Sequence, residues 1–262
     1  MKRNTHWLER EKGVYGKRWN DIHDGYFADS GIARPLIEKI EQAIAEFTPS
    51  FVVDLGGGTG FILKELLQCP DYAGTKFVNI DLSAKQARKY HDSRITSLVT
   101  SVIEVKREQI GAKKERLMLI MRSVLHYFGR TGISPFLKHI RGLLEPGETF
   151  IHQTACFERK RDAECLNLLY KLMRTDKWYP TKKELKTTLE EEHLTVQNIC
   201  LAPRLCLKPE DLVKRYRLTR RDVINIRKEV SRSFGEIPNV FALTEDGFIA
   251  YLHYQIFTCL AV

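Results

Sequence analysis

The sequence predicts an α/β protein with a doubly wound, mostly parallel seven-stranded sheet and an antiparallel C-terminal strand. Short, continuous apolar runs alternate with amphipathic segments between about residues 49 and 157. Apolar strands separated by helices are what a parallel sheet requires when helices cover both of its faces. A turn with three alternating glycines also joins the first apolar run to a helical segment. Such a turn is expected at the carboxyl end of a strand in this kind of sheet.

The first half of the chain supplies one helix and then five strands. Up to Phe47 the sequence reads as helical, and after a break at Gly31 apolar side chains recur at helical spacing. The apolar runs that follow predict strands at residues 51–55, 76–81, 95–105, 117–121 and 148–157. The amphipathic segments between them predict the crossover helices that parallel strands need.

The second half is less regular. Helices are predicted at residues 162–176, 181–193, 209–218 and 220–234, and strands at 194–207 and 252–262. Thr181 is the expected N-cap of its helix, because Glu184 three residues later completes a capping box. Pro203 has no N–H to donate and therefore favours an edge position for the strand that contains it.

The glycine-rich turn gives the clearest chemical signal. Glycines allow a tight turn and let a ligand approach the main-chain N–H groups at the start of the helix. The spacing lacks the third glycine of the dinucleotide fingerprint, and no G-K-S or G-K-T sequence follows as a P-loop would need. The turn therefore predicts a nucleotide-type cofactor site of another kind. Its residues are Asp54, Gly56, Gly57, Gly58 and Gly60.

The remaining pattern, D-x-G-x-G-x-G, resembles the first motif of class I S-adenosylmethionine-dependent methyltransferases of the small-molecule type. The resemblance extends from about residue 52 to 153 and includes the Leu-Glu-Pro-Gly turn at 144–147, before the fifth strand. It implies S-adenosyl-L-methionine as the cofactor. It also implies methyl transfer to an O, N or C nucleophile of a small-molecule acceptor. The expected organisation is an N-terminal helical lid over residues 1–47, a cofactor-binding α/β core over 48–157, and a helical insertion with C-terminal strands over 158–262 that complete the same domain.

The resemblance also implies roles for residues at the other strand ends. Asp81 ends the second strand, where a carboxylate can accept hydrogen bonds from the ribose hydroxyls, and Leu82 would contact the adenine. Arg122 and Ser123 follow the fourth strand, near the expected methionine part of the cofactor. Many family members carry an acidic residue after the third strand, but this chain has Thr100 and Ser101 there, and the Thr100 hydroxyl is the expected adenine contact.

Candidate acceptor-side residues lie on both sides of this core. His126 follows the fourth strand and is a candidate general base; the alternative is a helical turn packed on the sheet. The N-terminal segment resembles the lid of small-molecule methyltransferases, although an aromatic stripe facing the core would give the same spacing. The candidate substrate-binding residues are Tyr15, Trp19, His23, Tyr26 and Trp178.

The charge distribution leaves a second function open. The chain has a formal net charge of +9, and residues 204–234 contain ten basic and four acidic residues. This segment could bind RNA phosphates, which would make the protein an RNA methyltransferase. However, its charges alternate with apolar residues as in amphipathic helices with solvated faces. A third alternative is a cofactor-binding domain without catalytic activity.

Other functional classes find no support in the sequence. The six cysteines form no C-x-x-C pair and show no metal-ligand spacing with histidine, so no metal site is predicted. No apolar run is long enough to cross a membrane, and the N-terminus has no apolar signal core. We therefore expect a cytoplasmic protein with no membrane partner, and the sequence makes no prediction of its oligomeric state.

Overall fold

The computed structural model describes residues 23–68, 72, 74–87, 92–112, 114–245 and 247–262. Its centre is an eight-stranded sheet in the order β3-β2-β1-β4-β5-β8-β6, with β7 also paired to β8. The strands are β1 (Phe51–Leu55), β2 (Lys76–Asp81), β3 (Ile95–Val99), β4 (Leu117–Arg122), β5 (Thr149–Ala155), β6 (Leu194–Leu207), β7 (Phe241–Leu243) and β8 (Phe248–Ala261).

The predicted fold class is confirmed, with one strand more than expected. Strands β1 to β5 are parallel, and β8 is antiparallel to its neighbours β5, β6 and β7. The prediction of seven strands is wrong because β8 begins at Phe248, whereas its pairing with β5 reaches only to Tyr254. The first residues of β8 therefore extend past β5, and the short β7 pairs with this overhang.

Helices cover both faces of the sheet. They are α1 (Ser30–Phe47), α2 (Phe61–Leu66), α3 (Ala84–Ala87), α4 (Arg107–Ile110), α5 (Gly129–Leu143), α6 (Lys160–Leu172), α7 (Lys182–Glu191), α8 (Pro209–Tyr216) and α9 (Arg220–Phe234). On one face, α1 and α2 pack against Val52 and Ile120; on the other, α5 packs with Val53 and Leu119. Because successive strand residues point to opposite faces, β1 and β4 carry apolar residues on both faces.

Several predicted boundaries differ from those of the structure; the helix predicted at 162–176, for example, is Lys160–Leu172. Three of the differences have a clear cause. Helix α1 begins at Ser30, since Asp29 Oδ1 accepts a hydrogen bond from the Ile32 N–H at 2.8 Å, so Gly31 lies within its first turn. Strand β3 ends at Val99, and the apolar residues Val102 and Ile103 form a turn that packs, partly buried, against the core. Strand β8 begins four residues earlier than predicted, because its first residues pair with β7.

Two local predictions are confirmed. Thr181 Oγ1 accepts a hydrogen bond from the Glu184 N–H at 3.1 Å, and Glu184 Oε2 accepts one from the Thr181 N–H at 2.7 Å, which completes the capping box. Strand β6 lies at the edge of the sheet, and Pro203 falls within a register shift between Ala202 and Leu205. The shift keeps the missing proline N–H out of the regular ladder.

A further apolar cluster forms at the carboxyl end of β5. It joins Tyr26 and Phe27 to α6, α8 and α9 and to the first half of β8. This cluster therefore brings the segment before α1 and the C-terminal helices to the same edge of the sheet as the glycine-rich turn. Within the described ranges, no helix combines the length and the apolar composition that a bilayer crossing requires.

Candidate functional site

The glycine-rich turn connects β1 to α2 at the carboxyl edge of the parallel strands. Gly56, Gly58 and Gly60 all have positive φ. At Gly58, φ is 57° and a Cβ atom would meet no heavy atom within 4 Å, so the turn is open to a ligand at this point. At Gly57, a Cβ atom would lie 2.5 Å from Asp54 Cγ, so no larger residue fits between the turn and β1.

Asp81 lies beside this turn, at the end of β2. Its Oδ2 accepts a hydrogen bond from the Gly58 N–H at 3.0 Å, and its Oδ1 accepts one from the Ser83 N–H at 2.8 Å. Burial raises the pKa of Asp81, and these two N–H groups counter that rise. Each carboxylate oxygen has a second lone pair, so this half-buried group can also accept hydroxyl donors. Leu82, the next residue, is 54% exposed.

Asn79 also shapes the turn, and the sequence analysis missed it. Its Nδ2 donates a hydrogen bond to the Gly58 carbonyl at 3.1 Å. Asp54 on β1 is the register partner of Asn79 and is buried. Burial and the nearby Asp81 raise the pKa of Asp54 to about 7, although the Arg122 guanidinium acts in the opposite direction. Among the described residues, Asp54 Oδ2 and Asn79 Oδ1 have no hydrogen-bond partner. The signal for Asn79 was an amide in an apolar strand, two residues before Asp81.

Arg122 and Ser123 lie at the end of β4. The Arg122 guanidinium donates hydrogen bonds to the carbonyls of Tyr26 and Phe27 at 3.2 and 3.3 Å, and its Cζ lies 5.5 and 5.7 Å from the centres of their rings. Ser123 has a positive φ of 59°, and its Oγ donates a hydrogen bond to Tyr254 Oη at 2.6 Å. Arg122 therefore fixes the segment before α1 over the tip of β4.

The predicted cofactor residues share one edge of the sheet. These residues lie at, or directly after, the carboxyl ends of four strands. The four strands are adjacent in the sheet, because β1 pairs with both β2 and β4, and β2 pairs with β3. Thr100 directly follows β3, whose last residue, Val99, is in register with Asp81. The topology thus brings Asp54, Asp81, Thr100 and Arg122 to the same edge, while their individual roles toward a cofactor stay predictions.

His126 lies in the 3-10 helix Leu125–Phe128, directly after this edge. It is buried, and its ring centre lies 4.3 Å from that of Tyr127 and 5.4 Å from that of Tyr179. Its main-chain carbonyl accepts a hydrogen bond from the Trp178 N–H at 3.2 Å. The packing of the His126 ring agrees with the alternative of a helical turn packed on the sheet. Its role as a general base stays a prediction.

The structure brings only some of the predicted acceptor-side residues together. Tyr15 and Trp19 lie outside the described residues. Tyr26 is buried at the edge, where its Oη donates a hydrogen bond to the Pro203 carbonyl at 2.5 Å. His23 is buried nearby, with its ring centre 6.4 Å from that of Phe27. The ring of Trp178 packs instead beneath Arg130 and against the core cluster that contains α5.

Comparison with known proteins identifies relatives only at the level of structure. No family model and no curated protein matches the sequence. A candidate methyltransferase from Bacillus halodurans C-125 is similar with a TM-score of 0.64 and 14% identity, over 86% of this chain and 97% of that one. The magnesium protoporphyrin IX methyltransferase of Synechocystis, with bound S-adenosylhomocysteine, gives a TM-score of 0.56 and 12% identity, over 99% and 96% of the two chains.

A third structure is the 1,6-didemethyltoxoflavin-N1-methyltransferase of Burkholderia thailandensis, with bound 1,6-didemethyltoxoflavin and S-adenosylhomocysteine. It is 18% identical to this chain, with a TM-score of 0.55, over 98% of this chain and 88% of that one. Identities this low establish the fold alone. The chain therefore has the class I methyltransferase fold that its glycine-rich motif implied.

Proposed function

We propose that this protein is an enzyme that uses S-adenosyl-L-methionine to methylate a small molecule. The observation that carries the proposal is the position of Asp81, whose carboxylate is held beside the open turn by the Gly58 N–H and is followed by the exposed Leu82. An acidic group and an apolar side chain at adjacent positions suit the ribose and the adenine of an adenosine. When bound, the cofactor would supply a methyl group that is already activated on a sulfonium.

The residues at the strand ends fit this cofactor. Open space at Gly58 leaves room for a ligand against the main chain. Asp81 can accept hydrogen bonds from the two ribose hydroxyls, and Leu82 can pack against the adenine. Thr100, at the end of β3, would contact the adenine edge. Arg122 and Ser123 suit the methionine part, because they offer a cation and a hydroxyl at the end of β4. Asp54, with its unpartnered buried Oδ2, lies below the turn.

The chain's own contribution to the reaction would be mainly positioning. Holding a nucleophile in line with an activated methyl group supplies a large part of the acceleration without an acid or base. His126 is the proposed base for an acceptor that must lose a proton, and Tyr26 the proposed wall of the acceptor site. Small-molecule acceptors are supported by two structural neighbours, whose names give magnesium protoporphyrin IX and 1,6-didemethyltoxoflavin.

Calorimetry with S-adenosylhomocysteine tests the cofactor site. The wild type should bind it, and Asp81→Asn should weaken binding about tenfold or more, because ribose hydroxyls and the Gly58 N–H lose an ionic acceptor. The matched control is Asp176→Asn, which removes an exposed carboxylate and should leave the affinity unchanged. Equal affinities of Asp81→Asn and wild type, with both folded, would exclude the ribose assignment.

RNA methylation is the second candidate, and the exposed basic residues of α8 and α9 favour it. Lys214, Arg217, Arg220, Arg221, Lys228 and Arg232 are all exposed. The apolar residues between them, including Leu212, Ile226 and Val230, are buried as expected for helices with solvated outer faces. Incubation with labelled cofactor and either a metabolite pool or total RNA separates the two. If neither the metabolites nor the RNA become labelled although the protein binds the cofactor, the protein is the non-catalytic cofactor-binding domain of the third alternative.

A further inference from the structure

The outer face of α9 combines all the basic residues of that helix with one exposed apolar residue. Ile224, in the second turn, is 57% exposed. Because an α-helix has about 3.6 residues per turn, the five basic side chains all project within about 80° of Ile224 around the helix axis. These five residues are Arg220, Arg221, Arg227, Lys228 and Arg232.

The two acidic residues of α9 lie on the other side of the helix. Asp222 and Glu229 project about 140 to 160° away from Ile224. The helix packs on the protein through this opposite side, where Ile226 and Val230 are fully buried. The outer face of α9 therefore carries five cations and no carboxylate of the helix itself.

Most of these cations have no internal counter-charge. Arg220, Arg221 and Lys228 are exposed and form no ion pair with a described residue. Of the remaining two, only Arg232 pairs with a described carboxylate, that of Glu229. A cluster of like charges on one surface creates a field that attracts an extended anionic partner. The outer face of α9 therefore suits a surface with many negative charges.

The exposed Ile224 distinguishes between the possible anionic partners. About four to eight Lys and Arg residues on an amphipathic helix are typical of proteins that bind anionic lipids, and an apolar side chain on such a helix can enter the headgroup region. Surfaces that bind single-stranded RNA instead place aromatic rings beside the basic residues, because the bases stack on them. Within the described ranges, no phenylalanine, tyrosine or tryptophan is exposed. The observations therefore favour a lipid surface over RNA.

We propose that the outer face of α9 docks this protein peripherally on a membrane surface that carries anionic lipids. The five cations would contact the lipid headgroups, and Ile224 would insert between them. The inference goes beyond the proposed function, since docking requires neither the cofactor nor the acceptor. It differs from the expectation of no membrane partner, which rested on the lack of a spanning segment and of a signal core. A peripheral contact needs neither of these.

Sedimentation with lipid vesicles tests the inference. One set of vesicles contains phosphatidylcholine with about 30% phosphatidylserine, and the other contains phosphatidylcholine alone. We expect the protein to sediment with the phosphatidylserine vesicles and to bind the neutral ones at least about tenfold more weakly, because each Lys or Arg near an anionic surface adds a factor of about five. Equal binding to the two kinds of vesicle, or binding to neither, would overturn the proposal.

Variants assign the binding to the outer face of α9. Arg221→Gln combined with Lys228→Gln should weaken binding to the phosphatidylserine vesicles about twentyfold. The matched control is Lys183→Gln combined with Lys186→Gln, which removes two exposed lysines from α7 and should leave binding nearly unchanged. Ile224→Gln keeps every charge and should weaken binding about fivefold, because an apolar contact with the lipid is lost. Equal vesicle binding by the α9 double variant and the α7 control would overturn the proposal.

A single-stranded RNA separates the lipid surface from the RNA alternative. Nonspecific RNA binding depends mainly on the positive charges, so Ile224→Gln should leave any RNA binding unchanged while it weakens vesicle binding. If the protein binds the RNA and does not sediment with the phosphatidylserine vesicles, the basic residues of α9 belong to the RNA alternative and the proposal is wrong. The proposal is also wrong if Ile224→Gln binds these vesicles as tightly as the wild type.

Discussion

The buried imidazole of His152 should make the fold sensitive to acid. His152 lies in β5, and its ring stacks between Phe150 and Phe257 with centres 4.7 and 5.0 Å away. Its Nδ1 is 2.8 Å from Thr154 Oγ1, but its Nε2 has no hydrogen-bond partner among the described residues. Burial lowers the pKa of His152 to about 3, whereas the pKa of a histidine in the unfolded chain is about 6.5.

The sign and size of the effect follow from these two values. Between them, the unfolded chain binds a proton that the folded chain excludes, so stability falls as the pH drops below about 6.5. Between neutral pH and a pH of about 5, His152 alone should therefore remove about 2 kcal/mol from the free energy of unfolding. The loss continues down to the folded pKa of about 3.

Urea unfolding of His152→Phe at neutral and acidic pH measures this contribution. Phenylalanine preserves the aromatic stack between Phe150 and Phe257 and removes the titrating group, so the variant should lose about 2 kcal/mol less than the wild type on acidification. The control is His193→Asn, because His193 is exposed and asparagine tolerates its φ of 59°. The reasoning is refuted if wild type and His152→Phe lose the same stability over this range.

Three further predictions concern the fold, the turn and the basic helices. Glu148 is buried and accepts hydrogen bonds from both terminal nitrogens of Arg107 and from the Leu117 N–H. Glu148→Gln should therefore lower the free energy of unfolding by about 3 kcal/mol in urea titrations. Gly57→Ala should abolish S-adenosylhomocysteine binding in calorimetry, because its Cβ would lie 2.5 Å from Asp54 Cγ. Changing four of the five basic residues of α9 to Glu should leave methylation of a small acceptor unchanged in a turnover assay, since charges in contact with solvent are screened beyond about 10 Å. These residues are Arg220, Arg221, Arg227 and Lys228.

Each of these has a result that contradicts it. If Glu148→Gln is as stable as the wild type, the ion pair with Arg107 contributes little to the free energy of unfolding. Normal cofactor affinity of Gly57→Ala would mean that the turn adjusts or that the ligand binds elsewhere. A large loss of turnover in the α9 variant, together with lost RNA binding, would support the RNA reading.

The sequence predicted the parallel strands well because burial on both faces leaves a continuous apolar run. Asp54 and Asp81 were predicted at strand ends for the same reason, since a charge that interrupts such a run marks its boundary. The run that begins at Ile95 was predicted too long, because apolar residues in a turn that packs against the core cannot be distinguished from strand residues by composition. Strand β7 has only three residues, too few for a pattern.

The residues next to the candidate site were less predictable because their positions depend on tertiary contacts. Lys177 is buried and adjoins the predicted Trp178, yet nothing in its local sequence indicates its burial. Arg215 is buried as well, although the sequence analysis placed it among the solvated charges of its segment. Helical spacing separates buried from exposed positions only on average, and a buried basic residue breaks that pattern without a local mark. The same holds for Tyr254, whose contact with Ser123 joins residues far apart in the sequence.

The place of β8 in the sheet has a consequence for how the chain folds. Strand β8 lies between β5 and β6, so β6 has no partner among the described strands until β8 arrives. On the ribosome, β1 to β5 emerge first and can pair, while β6 and its apolar residues must wait until β8 (Phe248–Ala261) has been made. Such late, long-range pairing slows folding and exposes unpaired strand edges. A nascent chain that stalls before Phe248 would therefore present both β5 and β6 as aggregation-prone edges to chaperones.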